Sequence, residues 1–172
     1  MNTIHPKQHK GFTLVELLIV IVIIGILAAI SFVAYNGIAG KANDSAVQQD
    51  LMNIAKKLEM YYAEQGEYPS TTVQLTTLAL SASKSSYGSH YIYNNKEFNL
   101  LYCRPSSGEI NMYALVASSE SGNMFQYTAS GGMKEYTAGW RGGSDTVCKS
   151  LGISSVARNW FYENSAWHSY VK

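Results

Sequence analysis

Cysteine and proline are scarce in this chain of 172 residues, which has only Cys103 and Cys148 of the first and three of the second. The cysteines form no Cys-x-x-Cys pair and His5, His9, His90 and His168 are dispersed, so no ligand set has metal-binding spacing. A phosphate-binding loop, a Gly-x-Ser-x-Gly elbow and a His-Glu-x-x-His pair are missing too. Catalysis requires a nucleophile with a base, paired acids or a metal cluster. Beyond His90, His168 and scattered acids the chain offers none of these, which points away from an enzyme and from any cofactor. His168, beside Trp167, reads as a surface or packing residue. Asp145, in Gly142-Gly143-Ser144-Asp145, is one carboxylate where a hard-cation cage needs several, and reads as part of a solvated turn. Charge is sparse as well: Asp, Glu, Lys and Arg make up 15% of the residues and the net charge is +1. The basic residues are scattered, so nucleic acid is not indicated as a partner.

What the chain does have is one long apolar run, from Phe12 to Phe32, whose only ionisable residue is Glu16. A carboxylate at the centre of a membrane-spanning helix costs roughly 3 kcal/mol on insertion scales. The fifteen Leu, Ile, Val and Phe residues of the run contribute roughly −0.3 to −0.6 kcal/mol each and outweigh it. The segment therefore inserts in a bilayer, and Glu16 needs a partner. The polar stretch before it carries Lys7, Lys10, His5 and His9 and no acid, which keeps that end in the cytoplasm. A conventional signal peptide, cut near Gly37-Ile38-Ala39, is the competing reading; the length of the run and Glu16 within it argue against it.

A short basic leader ending in Gly11, then Phe12-Thr13-Leu14-Val15-Glu16 and the aliphatic stretch from Leu17 to Ile30, resembles the type IV prepilins. The likeness is dense over Lys10 to Tyr35, and Gly66-Glu67-Tyr68-Pro69 after Tyr61-Tyr62 resembles the helix exit of many pilins and pseudopilins. The resemblance implies that a membrane aspartyl peptidase cuts after Gly11, that Phe12 becomes the N-methylated mature terminus, and that Glu16 mediates assembly. It further implies, as partners, copies of the same chain in a helical homopolymer, other pilins, the prepilin peptidase/methyltransferase, a pilus assembly platform and, before assembly, the cytoplasmic membrane. Many major pilins have a proline three residues after the position of Ile30, where this chain has Val33. Valine neither removes a backbone bond nor kinks a helix, so any local melting on assembly rests on Gly25, which costs about 1 kcal/mol relative to alanine.

Past the membrane segment, Val47, Leu51, Ile54, Leu58 and Tyr61/Tyr62 recur at helical spacing and form one apolar stripe, the core-facing side of a helix docked on its own domain rather than in a partner's groove. A continuous helix from Phe12 to Tyr62 would run about 75 Å at 1.5 Å per residue. Gly66 and Pro69 end it. Residues 70–89 read as a variable connection with room for one short helix. His90–Asn94, Glu97–Cys103, Glu109–Ala117 and Asn123–Thr128 read as strands, and the Gly131-Gly132 and Gly142-Gly143 pairs as turns. The expected fold is α+β: a long N-terminal helix packed on a small antiparallel sheet. The expected organisation is a removed leader over 1–11, a membrane and filament-core half-helix over 12–35, an amphipathic outer half over 36–66 and a β-rich globular domain over 67–172.

An even count of cysteines in an exported domain favours a disulfide between Cys103 and Cys148, worth about 4 kcal/mol on the entropic account. The aromatic tail of Trp160, Phe161 and Tyr162, with Trp167 and Tyr170, either packs over the sheet or forms an exposed adhesive patch. Together these readings point to a structural pilin: a precursor in the cytoplasmic membrane with its leader in the cytoplasm, then a subunit of an extracellular filament. The alternatives are a minor pilin or a pseudopilin of a type II secretion or DNA-uptake machine, and, of a different class, a membrane-anchored binding domain that never polymerises.

Overall fold

The computed structural model describes residues 11–88, 91–93, 96–106, 111–140, 143–154, 156–163 and 166–172. Helix α1 spans Leu14–Gln65, and the chain divides at Ile38/Ala39 into two compact units. In the first unit α1 continues through position 33 as helix. Ser31 donates its hydroxyl to the Leu27 carbonyl at 2.8 Å, a local bond that an apolar helix uses to satisfy a lone polar side chain. The large side chains from Leu14 to Leu27 are all exposed.

In the second unit, Val47, Leu51, Ile54 and Leu58 of α1 are buried to within 1% of completely, and each such burial contributes roughly 1.5–3 kcal/mol. The stripe is thus the core-facing side of a helix in its own domain. The helix stops at Gly66, whose φ of 76° is the left-handed conformation that glycine adopts without a Cβ penalty, and the Gly66 N–H donates back to Tyr62 O at 2.8 Å. The connection that follows contains α2, Thr72–Thr77. Thr71 accepts from the Gln74 N–H, and the Gln74 side chain accepts from the Thr71 N–H, a reciprocal cap. Lys57 donates to the Ala79 carbonyl just beyond.

The strands are β1 (Tyr91–Tyr93), β2 (Lys96–Phe98), β3 (Leu100–Pro105), β4 (Ala114–Ser118), β5 (Met124–Thr128), β6 (Gly132–Glu135), β7 (Val156–Trp160), β8 (Tyr162–Glu163) and β9 (Ala166–Trp167). They pair antiparallel throughout, in a five-stranded sheet of order β6-β5-β4-β3-β7 and a four-stranded sheet of order β1-β2-β8-β9. Where the sequence suggests one strand over 97–103, the structure breaks it at Asn99, which ends the pairing of β2 and passes the chain to the larger sheet. Asn99 O accepts from Ser118 N at 2.9 Å and Leu100 O from Phe161 N at 3.0 Å. The strand expected over 109–117 begins only at Ala114; Glu109 and Ile110, like His90 and Asn94 of the first expected strand, lie outside the described residues.

The larger sheet is covered on both faces. Leu100 and Tyr102 of β3, with Leu115 and Ala117 of β4, pack with the α1 stripe. Leu101 and Cys103, with Ala114 and Val116, pack on the other side with Tyr136, Trp140 and helix α3, Ser144–Ser150. Period-two alternation sends successive side chains to opposite faces, and here both faces are core. Asp145 stands in the first turn of α3 rather than in a turn of the chain.

Candidate assembly site

Helix α1 starts on a local exchange of hydrogen bonds that sets the position of Glu16. Thr13 precedes the first helical residue. Its N–H and its hydroxyl both donate to Glu16 Oε2 at 2.8 Å, and the Glu16 N–H donates to Thr13 Oγ1 at 3.2 Å. This is a capping box, in which the side chains three residues apart satisfy each other's orphan backbone donors. The Thr-x-x-Glu spacing is readable in the sequence; reading Glu16 only as a lone acid in an apolar run misses it. Glu16 also lies at the positive end of the α1 macrodipole, where a carboxylate is favoured. Both of its local bonds use the same oxygen.

Beyond Glu16 the first unit presents an apolar surface. Leu17 to Ile24 and Ile26, Leu27, Ile30 and Phe32 are between 46% and 68% exposed, and a Cβ added at Gly25 would meet nothing within 4 Å. By hydropathy and length α1 qualifies to cross a membrane. Such a surface is stable in hydrocarbon or against other helices, and small residues at Gly25, Ala28 and Ala29 would let a second helix approach closely.

In the second unit, Cys103 of β3 and Cys148 of α3 form a disulfide with a Cα–Cα distance of 5.6 Å. The bridge joins α3 to the sheet face opposite α1. Asp44 ties α1 to the turn between β4 and β5: Asn123 Nδ2 donates to Asp44 Oδ2 at 2.8 Å, and the Ser121 hydroxyl donates to Asp44 Oδ1. Partial burial works to raise the Asp44 pKa, but the bonds from Ser121, Ser119 and Asn123 together hold it below the usual value. Asp50 is the reverse case. It is 8% exposed and accepts from the Ser83 N–H at 2.6 Å, yet burial outweighs Ser83 and Tyr87 and raises its pKa.

The remaining candidates pack. Phe161 and Tyr170 are buried in the core beside α1, with Trp167 partly buried against them. His168 stacks on Tyr170, their rings 5.2 Å apart and 7° from parallel. The tail therefore lies over the sheet as far as it is described; the side chains of Trp160 and Tyr162, and His90 altogether, lie outside the described residues. Among the described residues no three His, Cys, Asp or Glu side chains are grouped to hold a metal ion.

Comparison with known proteins bears on both units. A family model for the prokaryotic N-terminal methylation motif matches residues 6–32, and one for type II secretion system protein G matches residues 35–123. The chain is 33% identical over 119 residues to the type IV wide pilus major component PilA4 of Thermus thermophilus, covering 69% of this chain and 80% of that one. It is 31% identical over 115 residues to the type II secretion system core protein G of Escherichia coli, covering 67% of this chain and 77% of the relative. A fimbrial protein of Neisseria meningitidis is 36% identical over 87 residues, covering 51% of this chain and 49% of the other.

Proposed function

The chain belongs to the family of type IV pilins and type II secretion pseudopilins, and from that premise we propose that it is a structural subunit of an extracellular type IV pilus. The observation that carries this reading is the pairing of an exposed apolar half-helix with a single carboxylate fixed at its first turn. The proposed sequence of events starts with a precursor held in the cytoplasmic membrane by residues 12–35, its leader in the cytoplasm. A prepilin peptidase/methyltransferase cuts after Gly11, and Phe12 becomes a methylated amine. An assembly platform then moves the apolar half-helix from lipid into an equally apolar bundle of neighbouring helices. Transfer between two apolar surroundings has little hydrophobic driving force of its own, so close packing and polar pairing select the bundle. Glu16 supplies the polar term: its carboxylate meets the Phe12 amine of a neighbour, which fixes the axial register. The role is structural rather than catalytic.

A second reading, a pseudopilin of a secretion machine, draws on the match to protein G over residues 35–123. The part of the chain beyond that match, residues 124–172, holds β5 to β9, α3 and Cys148. These residues supply β5, β6 and β7 of the larger sheet and, stapled to it by the disulfide, α3 on the face away from α1; the surface they add to the matched segment is available for presentation on a filament, and on it we rest the preference for the pilus subunit. The test is mass spectrometry of surface filaments sheared from cells. The pilus reading expects this chain as an abundant component with a methylated Phe12 terminus. A chain found only in the membrane, with Met1 intact, would point to a non-polymerising anchor, and one found only in a short envelope-spanning structure to the pseudopilin.

A further inference from the structure

Arg104, near the end of β3, is hydrogen-bonded to no carboxylate among the described residues. Its Nη2 donates to Ser70 O at 2.6 Å and its Nη1 to Pro105 O at 3.1 Å, while Nε is buried without an acceptor. Both acceptors are backbone carbonyls, which hold the fork in place without cancelling its charge. It lines an open cleft of about 310 Å³ with Glu67, Tyr68, Ser70, Pro105 and Ser106. Glu67 lies on the same cleft but is exposed and makes no hydrogen bond to Arg104. A planar cation fixed in advance, with donors to spare, is suited to a carboxylate.

The second unit carries a carboxylate at its opposite end. Glu120 stands in the turn between β4 and β5 with its side chain exposed, and the turn is fastened on both sides: its N–H donates to Ser86 O at 2.8 Å, and the following residues hold Asp44 of α1. Along the sheet, Leu100 pairs with Ala117 beside this turn, and Arg104 lies four residues further on, about 13 Å at 3.3 Å per residue. Along α1, Asp44 marks the Glu120 end, and Ser70, which Arg104 binds, follows the last turn at Gln65. The two groups therefore cannot pair within one copy.

We propose that the Arg104 guanidinium of one copy binds the Glu120 carboxylate of another, head to tail, in the assembled filament; this rests on the polymer reading above. A contact between two different patches on identical chains is heterologous and propagates without closing, which is the symmetry of an open helical filament. Charge balance fits a second copy as the occupant. Of thirteen Lys and Arg and twelve Asp and Glu, Lys7, Lys10 and Glu16 precede residue 39, leaving eleven of each sign on the second unit. Copies of a neutral unit do not repel as wholes, and individual pairs set which patches meet.

The test is charge reversal in cells producing only the full-length chain, scored as sheared filament protein over total membrane protein. Arg104→Glu and Glu120→Arg should each lower the assembled fraction by about tenfold or more, since like charges then face each other. The double variant Arg104→Glu/Glu120→Arg should restore most of it, which a purely structural role for Arg104 would not. Single variants that assemble as the wild type does, or a double variant no better than the worse single, would overturn the contact. Should Arg104→Glu fail to form the Cys103–Cys148 bond, Glu120→Arg on its exposed turn decides by itself, and wild-type assembly by that variant rejects the proposal. If the wild-type chain yields no filaments at all, the polymer reading fails and takes this contact with it; if only the variants behave as wild type, the contact alone fails.

Discussion

Removing the disulfide should cost the second unit most of the stability that a bridge of this reach can give. Cys103 and Cys148 close a loop with a sequence separation of 45 residues, for which the loop-closure account gives about 4 kcal/mol at 25 °C. Both sulfurs sit at 0% exposure in the cluster with Leu101, Val116, Val147 and Trp140. The double variant Cys103→Ala/Cys148→Ala keeps that site apolar, whereas serine would bury two hydroxyls and confound the measurement. The expected loss is thus about 3–4 kcal/mol, the lower figure allowing for structure left in the unbridged denatured chain. Guanidinium denaturation of the full-length chain in detergent micelles measures it. Trp140 is 5% exposed and packs beside Cys148, so its fluorescence reports the region directly. A lower midpoint with a steeper slope is the expected signature, because the unbridged denatured chain is less compact and exposes more surface. A loss below about 1 kcal/mol would refute the reasoning, because the bridge would then constrain little that the sheet and α3 do not already hold.

Two further outcomes follow. Gly11→Val should accumulate the uncut precursor, since the backbone at the scissile bond must enter the peptidase closely and valine adds a branched Cβ; normal amounts of chain starting at Phe12 would contradict the leader assignment. Asp50→Asn should gain stability relative to wild type as pH rises. The folded carboxyl has its pKa raised, chiefly by burial, so the native state holds its proton longer than the unfolded chain, and stability from this group is full below the ordinary value of 3.8 and is lost as pH climbs through the raised one. The asparagine oxygen can still accept from Ser83 N–H, and denaturation midpoints of the two proteins across that range should diverge; a constant difference would dismiss Asp50 as the cause.

How far the sequence discloses this molecule depends on what each segment has on its other side. The apolar run from Phe12 to Phe32 and the stripe Val47, Leu51, Ile54 and Leu58 are plain because one helix meets a single kind of surrounding on each face. The sheet is harder to read. Leu100 to Cys103 and Ala114 to Ser118 are buried without a break, because α1 covers one face and α3 the other, so alternation leaves no polar mark. The break at Asn99 is invisible for the same reason. β8 and β9 have two residues each, too few for any period to register, and α3 offers only Val147 and Cys148 as apolar positions in seven residues. Of the candidate site, Glu16 stands out by its chemistry. The capping role of Thr13 is legible by spacing, and the setting of Arg104 is not, since the Ser70 carbonyl that holds its Nη2 is brought in by the fold from 34 residues away.

The capping box gives the role proposed for Glu16 a sharper test than simple removal. In the bilayer the neutral donors of Thr13 satisfy one oxygen of Glu16 but leave its charge uncancelled, and an uncompensated charge in hydrocarbon is costly. The proposed cleavage after Gly11 would place a positive amine on Phe12 at the positive end of the helix dipole, where it is disfavoured unless a carboxylate offsets it. In the proposed assembly, pairing of that amine with a neighbour's Glu16 would offset both at once. Glutamine at this position would still complete the box, because glutamine and glutamate serve equally there, as Gln74 does for α2, but it would carry no charge. Glu16→Gln and Glu16→Leu should therefore both insert in the membrane and be cut after Gly11, and both should lose most of the sheared filament yield. If the cap alone mattered, Glu16→Gln would assemble as wild type while Glu16→Leu failed. If Glu16 merely reached the headgroups, both would assemble. Either result would remove the charge pairing from the account of assembly, and only failure of both variants upholds it.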